Sequence, residues 1–337
     1  MKRFSVPLLL LALFAVLMGL AWFEVIDVYF QTILLFMGIN VIISSSLNLV
    51  NGNMGEFSCG HAGFIAVGAY VSSVLSVMLF TKSRVFGAPL LPPEWAAFGF
   101  PIVLIVGGIA AALTGLLVAI PSFRTRDDYL AIITIAANYI IITTIINIDK
   151  IGGARGFMGM RRVIFAMEDF AGIPWMILWV FLFMVLTLVI IRRYMSSTYG
   201  KGVEAIRQDE VAAEIMSVNT NRIKLITFMI SSGLAGIAGG LYAHAVGYVN
   251  PKSFDLLKST EALVMVYLGG MGSLTGSILS AVLFTLLLEL LRPLQIIKWV
   301  AIPLLLIIIM QFRPEGIMGH RELSDIFPKL KKFYKFK

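Results

Sequence analysis

The sequence predicts an all-α polytopic membrane protein with about ten membrane passes, some of them broken or re-entrant, in two pseudo-repeated halves. Of its 337 residues, 59% are hydrophobic and only 14% are charged, and the mean hydropathy is +0.91. A soluble domain carries roughly a quarter charged residues and cannot hide this much apolar surface in one core. The whole chain, 1–337, is therefore predicted to be a single transmembrane domain.

Each pass requires about 20 apolar residues, because the hydrocarbon core of a bilayer is about 30 Å thick. The first stretch follows Met1-Lys2-Arg3, is longer than a typical signal-peptide core and precedes no small-residue cleavage site, which favours an uncleaved pass. The eighth stretch is short and ends in Gly269-Gly270-Met271-Gly272, so we do not expect it to cross as a regular helix. The ten stretches are 5–23, 29–50, 62–80, 96–121, 129–148, 172–191, 225–247, 260–271, 273–291 and 294–312.

The distribution of basic residues predicts the orientation of these passes. With the N-terminus in the cytoplasm, 17 Lys and Arg residues fall inside, nine fall outside, and Lys298 lies within the last pass. This excess favours a cytoplasmic location for both termini, although the segment 149–171, with four basic residues, is then outside. The net charge of +8 is better explained by this bias than by nucleic-acid binding, and the basic tail 313–337 is expected to touch anionic lipid.

Composition and spacing exclude several kinds of site. The single cysteine, Cys59, excludes a disulfide framework, and the three histidines lie far apart in the sequence, which argues against a metal site. The chain has neither a GxxxxGK[ST] loop for nucleotide nor a GxSxG nucleophile motif. We therefore predict no catalytic residue, no metal site and no enzymatic activity for this chain.

Two regions interrupt the apolar pattern with glycine and polar residues. In Leu47–Gly63, four glycines disfavour a stable helix, and the asparagines and Ser58 offer hydrogen-bonding groups. The second region is Tyr267–Gly276. Unwound backbone at membrane depth is tolerated where protein or water covers it, and transporters use it to line a translocation path. The predicted path residues are Asn48, Gly52, Gly55, Ser58, Gly60, His61, Gly269, Gly270 and Gly272.

Simpler explanations also apply to these features. Each region alone is explained by a turn whose small residues allow close helix packing, as in Gly236–Gly240. One interruption in each half is expected of an internally repeated transporter, although the halves match only weakly residue by residue. Glu56, Glu261 and Glu289 are functional candidates because charge is costly in lipid, but the last two also lie near the ends of passes. His244 is predicted to be packed or interfacial rather than a proton relay.

The segment 192–224 is the long polar segment between passes. It is predicted to contain two short helices, Val203–Gln208 and Asp209–Met216, with the Asp209 carboxylate capping the free N–H groups of the second. The predicted contact surface of this second helix consists of Ala212, Ala213 and Met216. A helical elbow in a chain without a nucleotide site suits the docking of a separate motor protein, and a solvated linker is the alternative.

The sequence of this segment closely resembles the coupling loop of ABC-importer permeases for branched-chain amino acids. These permeases occur as pairs of two different subunits, and the resemblance is to the M-type subunit in particular. The resemblance is carried by Glu204–Glu214 and Asn221–Leu225. Further segments extend it over most of 47–290, and their combined order is specific although no single piece is. These segments are Leu47–Tyr70, Arg126–Thr134, Gly152–Gly156, Gly233–Tyr242 and Gly269–Gly276.

The resemblance implies a permease subunit of the bacterial inner membrane that performs no covalent chemistry. It implies a heterodimer with a second permease, two cytoplasmic ATPases that hold the ATP and Mg, and a periplasmic binding protein that delivers Leu, Ile or Val. It implies no cofactor in this chain and makes 192–224 the cytoplasmic coupling loop. The residues expected to couple to the ATPases are Glu204, Arg207, Asp209, Glu210, Ala212, Ala213 and Glu214.

Three departures from the family pattern leave alternatives open. Ser217 replaces a glycine that usually follows the elbow helix, Asn138-Tyr139 replaces Gly-Glu, and Ala154-Arg155 stands where Pro or Thr and Asn are common. The last two departures bear on substrate identity, so urea and short amides, which related permeases carry, remain alternative substrates. An ion-coupled secondary transporter is expected to place paired ionisable residues in mid-membrane, and an intramembrane hydrolase requires a nucleophile–base arrangement that is not evident here.

Overall fold

The computed structural model describes residues 26–83, 85–123 and 129–294, with short pieces near both ends at 14–15, 18–19, 21–23, 300, 303–304, 307–308, 311–312, 315–319 and 322. Within these residues the protein is helical, apart from a two-residue antiparallel pairing of β1 (Phe157–Met158) with β2 (Tyr248–Val249). The α-helices of the described part are α1 (Val28–Asn48), α2 (His61–Phe80), α3 (Ala96–Ser122), α4 (Tyr129–Ile146), α5 (Met160–Ala171), α6 (Trp175–Met195), α7 (Thr198–Gln208), α8 (Glu210–Ile215), α9 (Thr220–Val246), α10 (Leu256–Gly269) and α11 (Leu274–Leu290).

The chain is an all-helical, multi-pass membrane protein. Six described segments are long and apolar enough to cross a bilayer: Val28–Met54, His61–Phe80, Pro93–Ser122, Tyr129–Ile146, Trp175–Met195 and Thr220–Val246. Helices α10 and α11 have 14 and 17 residues, and the shorter reaches only about 21 Å at 1.5 Å per residue. More than half of each of the predicted first and tenth passes, 5–23 and 294–312, lies outside the described residues. Ten passes therefore stay a prediction.

The first predicted interruption, Leu47–Gly63, and the predicted polar segment 192–224 are both shorter in the structure. Helix α1 continues as a π-helix, Leu49–Met54, which ends at Gly55 with a left-handed φ of 80°, and helical structure resumes at His61. Gly52 therefore lies in a helical turn, and Gly63 lies inside α2, because packing against neighbours overrides the low helix propensity of glycine. The polar segment predicted at 192–224 likewise shortens to 196–219, since α6 and α9 extend into it.

Close backbone packing holds α2, α3 and α9 together at the centre of the fold. A Cβ atom added to Gly68 would lie 2.1 Å from the carbonyl oxygen of Gly236, and one added to Gly239 would lie 2.0 Å from that of Ile65. A Cβ on Gly107 would lie 2.1 Å from Ser72 Oγ. These distances confirm that the glycines around 236–240 allow helices to approach closely, as small residues do in membrane helix pairs.

Substitution of Gly68 tests this packing. We expect Gly68→Ala to push α2 and α9 apart and to cost about 1–3 kcal/mol of stability, because the added methyl meets backbone that has no free space. Gly19→Ala is the control, since no atom of the described residues lies within 4 Å of a Cβ at that position. Thermal unfolding of the purified protein in detergent measures both, and an unfolding temperature of Gly68→Ala equal to that of Gly19→Ala would contradict the packing account.

Candidate functional site

The two interrupted segments meet through one buried amide. Asn48 Nδ2 donates hydrogen bonds to the carbonyl oxygen of Ser273 at 2.9 Å and to Ser277 Oγ at 2.7 Å. Asn48 Oδ1 accepts a hydrogen bond from the Gly272 N–H at 2.9 Å. We call this meeting of 48–55 with 269–277 the junction. The amide accepts from the Gly272 N–H, which the interruption leaves without a helical partner, and adds a donor to the Ser273 carbonyl oxygen, which also accepts from the Ser277 N–H at 3.1 Å.

Glycine is required at the junction because backbone meets backbone there. A Cβ on Gly52 would lie 2.3 Å from the Gly272 nitrogen and 1.8 Å from Asn48 Oδ1. Gly270 and Gly272 have φ values of 112° and 82°, which L side chains rarely adopt. A Cβ on Gly269 would lie 2.4 Å from the carbonyl oxygen of Gly276. These glycines, predicted to line the path, allow the two interrupted segments to pack closely at the junction.

The predicted coupling residue Arg207 lies against the same junction. Its Nη1 donates a long hydrogen bond, 3.4 Å, to the Gly52 carbonyl oxygen. A Cβ on Gly55 would lie 3.1 Å from Arg207 Cγ, and one on Gly272 would lie 3.0 Å from Arg207 Nη1. The arginine therefore lies between the two interruptions. Two residue sets that the sequence analysis kept separate, path and coupling, are in contact.

A buried lysine makes a second connection between these parts. Lys224 Nζ, near the start of α9, lies 2.6 Å from Glu56 Oε1 and 2.7 Å from Glu210 Oε2, and only 8% of its side chain is exposed. Two carboxylates compensate the cost of removing the ammonium group from water. The arrangement ties the first interruption, α9 and the elbow helices α7 and α8 together. The polar segment was predicted to end at this lysine, and no role was predicted for it. A charged residue at the start of an apolar helix nevertheless indicates a functional or paired position.

The elbow, defined here as Thr198–Ile215, contains the two predicted helices. Asp209 caps α8 by accepting a hydrogen bond from the Ala212 N–H at 3.0 Å, which confirms its predicted role as N-cap. Glu214 accepts a hydrogen bond from Thr220 Oγ1 at 2.8 Å, which holds the start of α9. Ser217 adopts a left-handed φ of 63°. The turn therefore has the conformation that a glycine favours, with a serine in its place.

The exposed surface of α8 is apolar. Val211, Ile215 and Met216 expose 67%, 79% and 78% of their surface, and Ala212 is exposed beside them. Ala213 is only 5% exposed. Its predicted role as a direct contact for an ATPase therefore needs correction, because the helix turns this side chain towards the body of the protein. The aliphatic residues at 211 and 215, which sequence analysis did not select, present the surface instead.

The remaining predicted path residues lie where α2 begins and not at the junction. His61 is buried, with Nε2 2.9 Å from Ser46 Oγ. A Cβ on Gly60 would lie 2.1 Å from the Thr134 carbonyl oxygen, so this segment packs directly on α4.

Two buried polar side chains near this point lack hydrogen-bond partners among the described residues. They are the hydroxyl of Ser58 and the amide of Asn138, both almost fully buried. A Cβ on Gly63, in the first turn of α2, would lie 2.9 Å from Asn138 Oδ1. Unpaired polar groups are costly in a membrane interior and frequently mark functional positions.

The other ionisable candidates are paired. Glu261 binds Lys258 at 2.8 Å and Glu289 binds Arg292 at 2.9 Å, three residues away in each case. His244 is fully buried, with Nε2 2.8 Å from Ser76 Oγ and Nδ1 2.8 Å from the Gly240 carbonyl oxygen. This confirms a packed histidine. The described residues contain no cluster of three or more His, Cys, Asp or Glu side chains that would hold a metal ion.

Part of the predicted basic tail packs against the second interruption. The N–H groups of Ile317 and Met318 donate hydrogen bonds to the carbonyl oxygens of Leu268 and Gly269 at 2.9 and 3.1 Å. The Glu322 carboxylate accepts from the Leu274 N–H at 2.8 Å, and also from the backbone and hydroxyl of the next residue, so it caps the start of α11. Most of 313–337 lies outside the described residues.

Comparison with known proteins identifies relatives over most of the chain. Residues 29–311 match the family described as branched-chain amino acid transport system / permease component. The LivM permease proteins of high-affinity branched-chain amino acid transport in Escherichia coli and Salmonella typhimurium are each 31% identical to it, over 83% of this chain and 68% of the relative. The E. coli LivH permease protein is 25% identical, over 85% of this chain and 92% of the relative. No solved structure matches the chain.

Replacement of Asn48 tests the junction. We expect Asn48→Leu to destabilise the protein by about 1–3 kcal/mol, because it removes the acceptor of the half-buried Gly272 N–H and the amide donor to the buried Ser273 carbonyl and Ser277 hydroxyl. Asn147→Leu removes an exposed asparagine at the end of α4 and serves as the control, with a change of less than about 0.5 kcal/mol. Chemical or thermal unfolding in detergent measures the difference, and equal stability of the two variants would contradict the assignment.

Proposed function

The chain belongs to the family of permease components of branched-chain amino acid ABC transport systems, and on that premise we propose that it imports Leu, Ile and Val as the M-type subunit of an ATP-driven transporter. It is a non-catalytic transport subunit. The M-type proposal is supported by the higher identity to the LivM relatives, 26–31%, than to the LivH relatives, 24–25%.

We propose a heterodimer with a second, related permease, driven by two cytoplasmic ATPases and supplied by a periplasmic binding protein. The similarity of this chain to both LivM and LivH proteins of one organism supports a pair of permeases. ATP and Mg would be held by the ATPases. The proposal includes the bacterial inner membrane, ten passes in two repeated halves, and both termini in the cytoplasm, where basic flanking residues are favoured.

The observation that carries the mechanism is the contact of the elbow with both interrupted segments. Closure of the ATPases on ATP would move α7 and α8. Arg207 would pass this motion to the junction, and the Glu210–Lys224–Glu56 ion pairs would pass it to α9 and the first interruption. Alternation between inward-open and outward-open states requires contacts that differ between the states, and these charged contacts are able to rearrange as units.

We place the substrate path beside the start of α2. The positive end of a helix dipole favours a carboxylate, as in transporters with discontinuous helices. Here the N–H groups of Ala62 and Gly63 already donate to Ser259 Oγ and to the Gly60 carbonyl oxygen, so the dipole and the nearby polar side chains carry the argument. The unpaired polar groups of Ser58 and Asn138 lie at this level, and Gly60 lets α4 approach the segment. A zwitterionic amino acid needs partners for its carboxylate and ammonium groups, while its aliphatic side chain meets apolar walls.

Transport by the assembled importer tests the function. We expect proteoliposomes containing both permeases and the ATPases, with ATP enclosed and the binding protein added outside, to accumulate radiolabelled leucine without an ion gradient. Isoleucine and valine should compete, and urea or acetamide should not. Uptake that requires a proton or sodium gradient would contradict the ATP-driven mechanism, and competition by urea alone would contradict the substrate class.

A charged substitution on the exposed surface of α8 tests docking of the ATPases. We expect Ile215→Lys to lower ATP-driven leucine uptake by about tenfold or more, because a lysine buried in an apolar contact without a partner costs several kcal/mol. Its unfolding temperature should be unchanged, since the side chain contacts little in this chain. Ala213→Arg is expected to lower stability instead.

Val85→Lys is the matched control, because Val85 is also an exposed aliphatic residue, 59% exposed, but lies between α2 and α3 at the far end of the helices. Co-purification of the ATPases with each variant measures docking directly. Unchanged uptake and co-purification of the Ile215→Lys variant would overturn the docking assignment.

A further inference from the structure

A cavity of about 550 Å³ opens beside the junction on the side of the elbow. Five parts of the chain contribute to it: the first interruption through Asn53, the end of α6 through Arg192 and Arg193, the elbow through Glu204, the start of α11 through Leu274, and the tail through Glu322. A cavity of this volume is in the range that binds small molecules. Because its walls come from the elements that must move during coupling, occupancy would bear on the transport cycle.

Two residues of opposite charge, Arg193 and Glu204, line this cavity without pairing with each other. The side chains of Arg193 and Glu204 both face it, yet neither is among the ion pairs or side-chain hydrogen bonds of the described residues. An arginine and a carboxylate that share a cavity but stay more than 4 Å apart leave room for a ligand between them. A ligand with one anionic and one cationic group would satisfy both, through charge-assisted hydrogen bonds.

The rest of the lining selects among charged ligands. Arg192 and Glu322 also line the cavity, so its two arginines and two glutamates carry no net formal charge. A singly anionic ligand such as a lipid phosphate would therefore meet repulsion from the carboxylates. Val189, Ile191 and Leu274 supply an aliphatic wall, and the Asn53 amide adds a neutral donor and acceptor. This combination of both charges with an aliphatic wall fits a zwitterionic amino acid with a branched apolar side chain.

We propose that this cavity binds a free aliphatic amino acid from the cytoplasm, and that the bound molecule holds the elbow against both interruptions, so that imported product inhibits transport. The inference rests on the proposed function, which supplies the amino-acid substrate class and the cytoplasmic side of the cavity. Bridging Glu204 of the elbow to Arg193 of α6, the ligand would stabilise the elbow position seen here and disfavour any state in which α7 moves away. A ligand that binds one state better shifts the equilibrium towards that state.

ATP hydrolysis by the assembled importer in nanodiscs, without binding protein, tests the proposal. We expect leucine at millimolar concentration to inhibit hydrolysis, and we expect no inhibition by 4-methylpentanoate, which lacks the ammonium group, or by isoamylamine, which lacks the carboxylate. Arg193→Gln and Glu204→Gln should each raise the half-inhibitory leucine concentration about tenfold, the loss expected for one charge-assisted hydrogen bond. Lys201→Gln, on the same elbow helix but outside the cavity lining, should leave it unchanged.

Binding of radiolabelled leucine to the same preparations separates ligand binding from coupling, because Glu204 was also predicted to couple to the ATPases. Weaker binding to both cavity variants, with normal binding to the Lys201→Gln protein, supports the site. Equal inhibition of all proteins by leucine would overturn it, as would inhibition that follows the phosphatidylglycerol content of the nanodisc and not leucine. If leucine does not inhibit a preparation that still takes up leucine normally with ATP and binding protein, this inference alone is refuted. If the preparation takes up no leucine, the proposed function is refuted.

Discussion

The structure depends on how the chain satisfies its backbone polar groups where its helices are interrupted. A bilayer interior offers no water to unpaired N–H and C=O groups, so an interruption persists only if protein covers it. Here Asn48 of one interruption binds the Gly272 N–H and the Ser273 carbonyl of the other, and Glu322 caps the helix that follows. The two interrupted segments of the helical bundle therefore stabilise each other. Glycine is needed at 52 because a side chain there would meet the Gly272 backbone, and at 272 because its φ of 82° is one that L side chains rarely adopt.

The junction is also the place where the elbow contacts the membrane-spanning helices. The elbow contacts the junction through Arg207 and reaches the first interruption and α9 through Lys224, which binds Glu56 and Glu210. Polar contacts of this kind exchange partners more readily than a packed apolar core, in which even a small change of volume is costly. In the proposed mechanism the central helices α2, α3 and α9, with their close glycine contacts, would move as one body, while the junction and the elbow would take up the rearrangement.

Much of the fold followed from the sequence because lipid imposes simple rules. Apolar length and glycine interruptions located the helices 28–48, 61–80, 96–122 and 129–146 to within two residues of their observed ends, and the Asp209 cap followed from hydrogen-bond chemistry. The errors fall where tertiary contacts overrode local preference. Gly52 and Gly63 lie in helical turns despite their low propensity, and α6 and α9 extend into the polar segment because their ends pack against the elbow and the junction.

The composition, the charge bias and the sequence of the coupling loop together predicted a multi-pass permease with a helical elbow. Each of these properties can be read from short stretches of sequence, without knowledge of which distant residues meet. Only the tertiary structure decided which distant residues meet. It joined Asn48 to Gly272, Arg207 to Gly52 and Glu56 to Lys224, turned Ala213 inward and left Ile215 exposed. Contacts between residues more than 150 positions apart depend on the three-dimensional path of the backbone, and a single sequence carries no local signal for them.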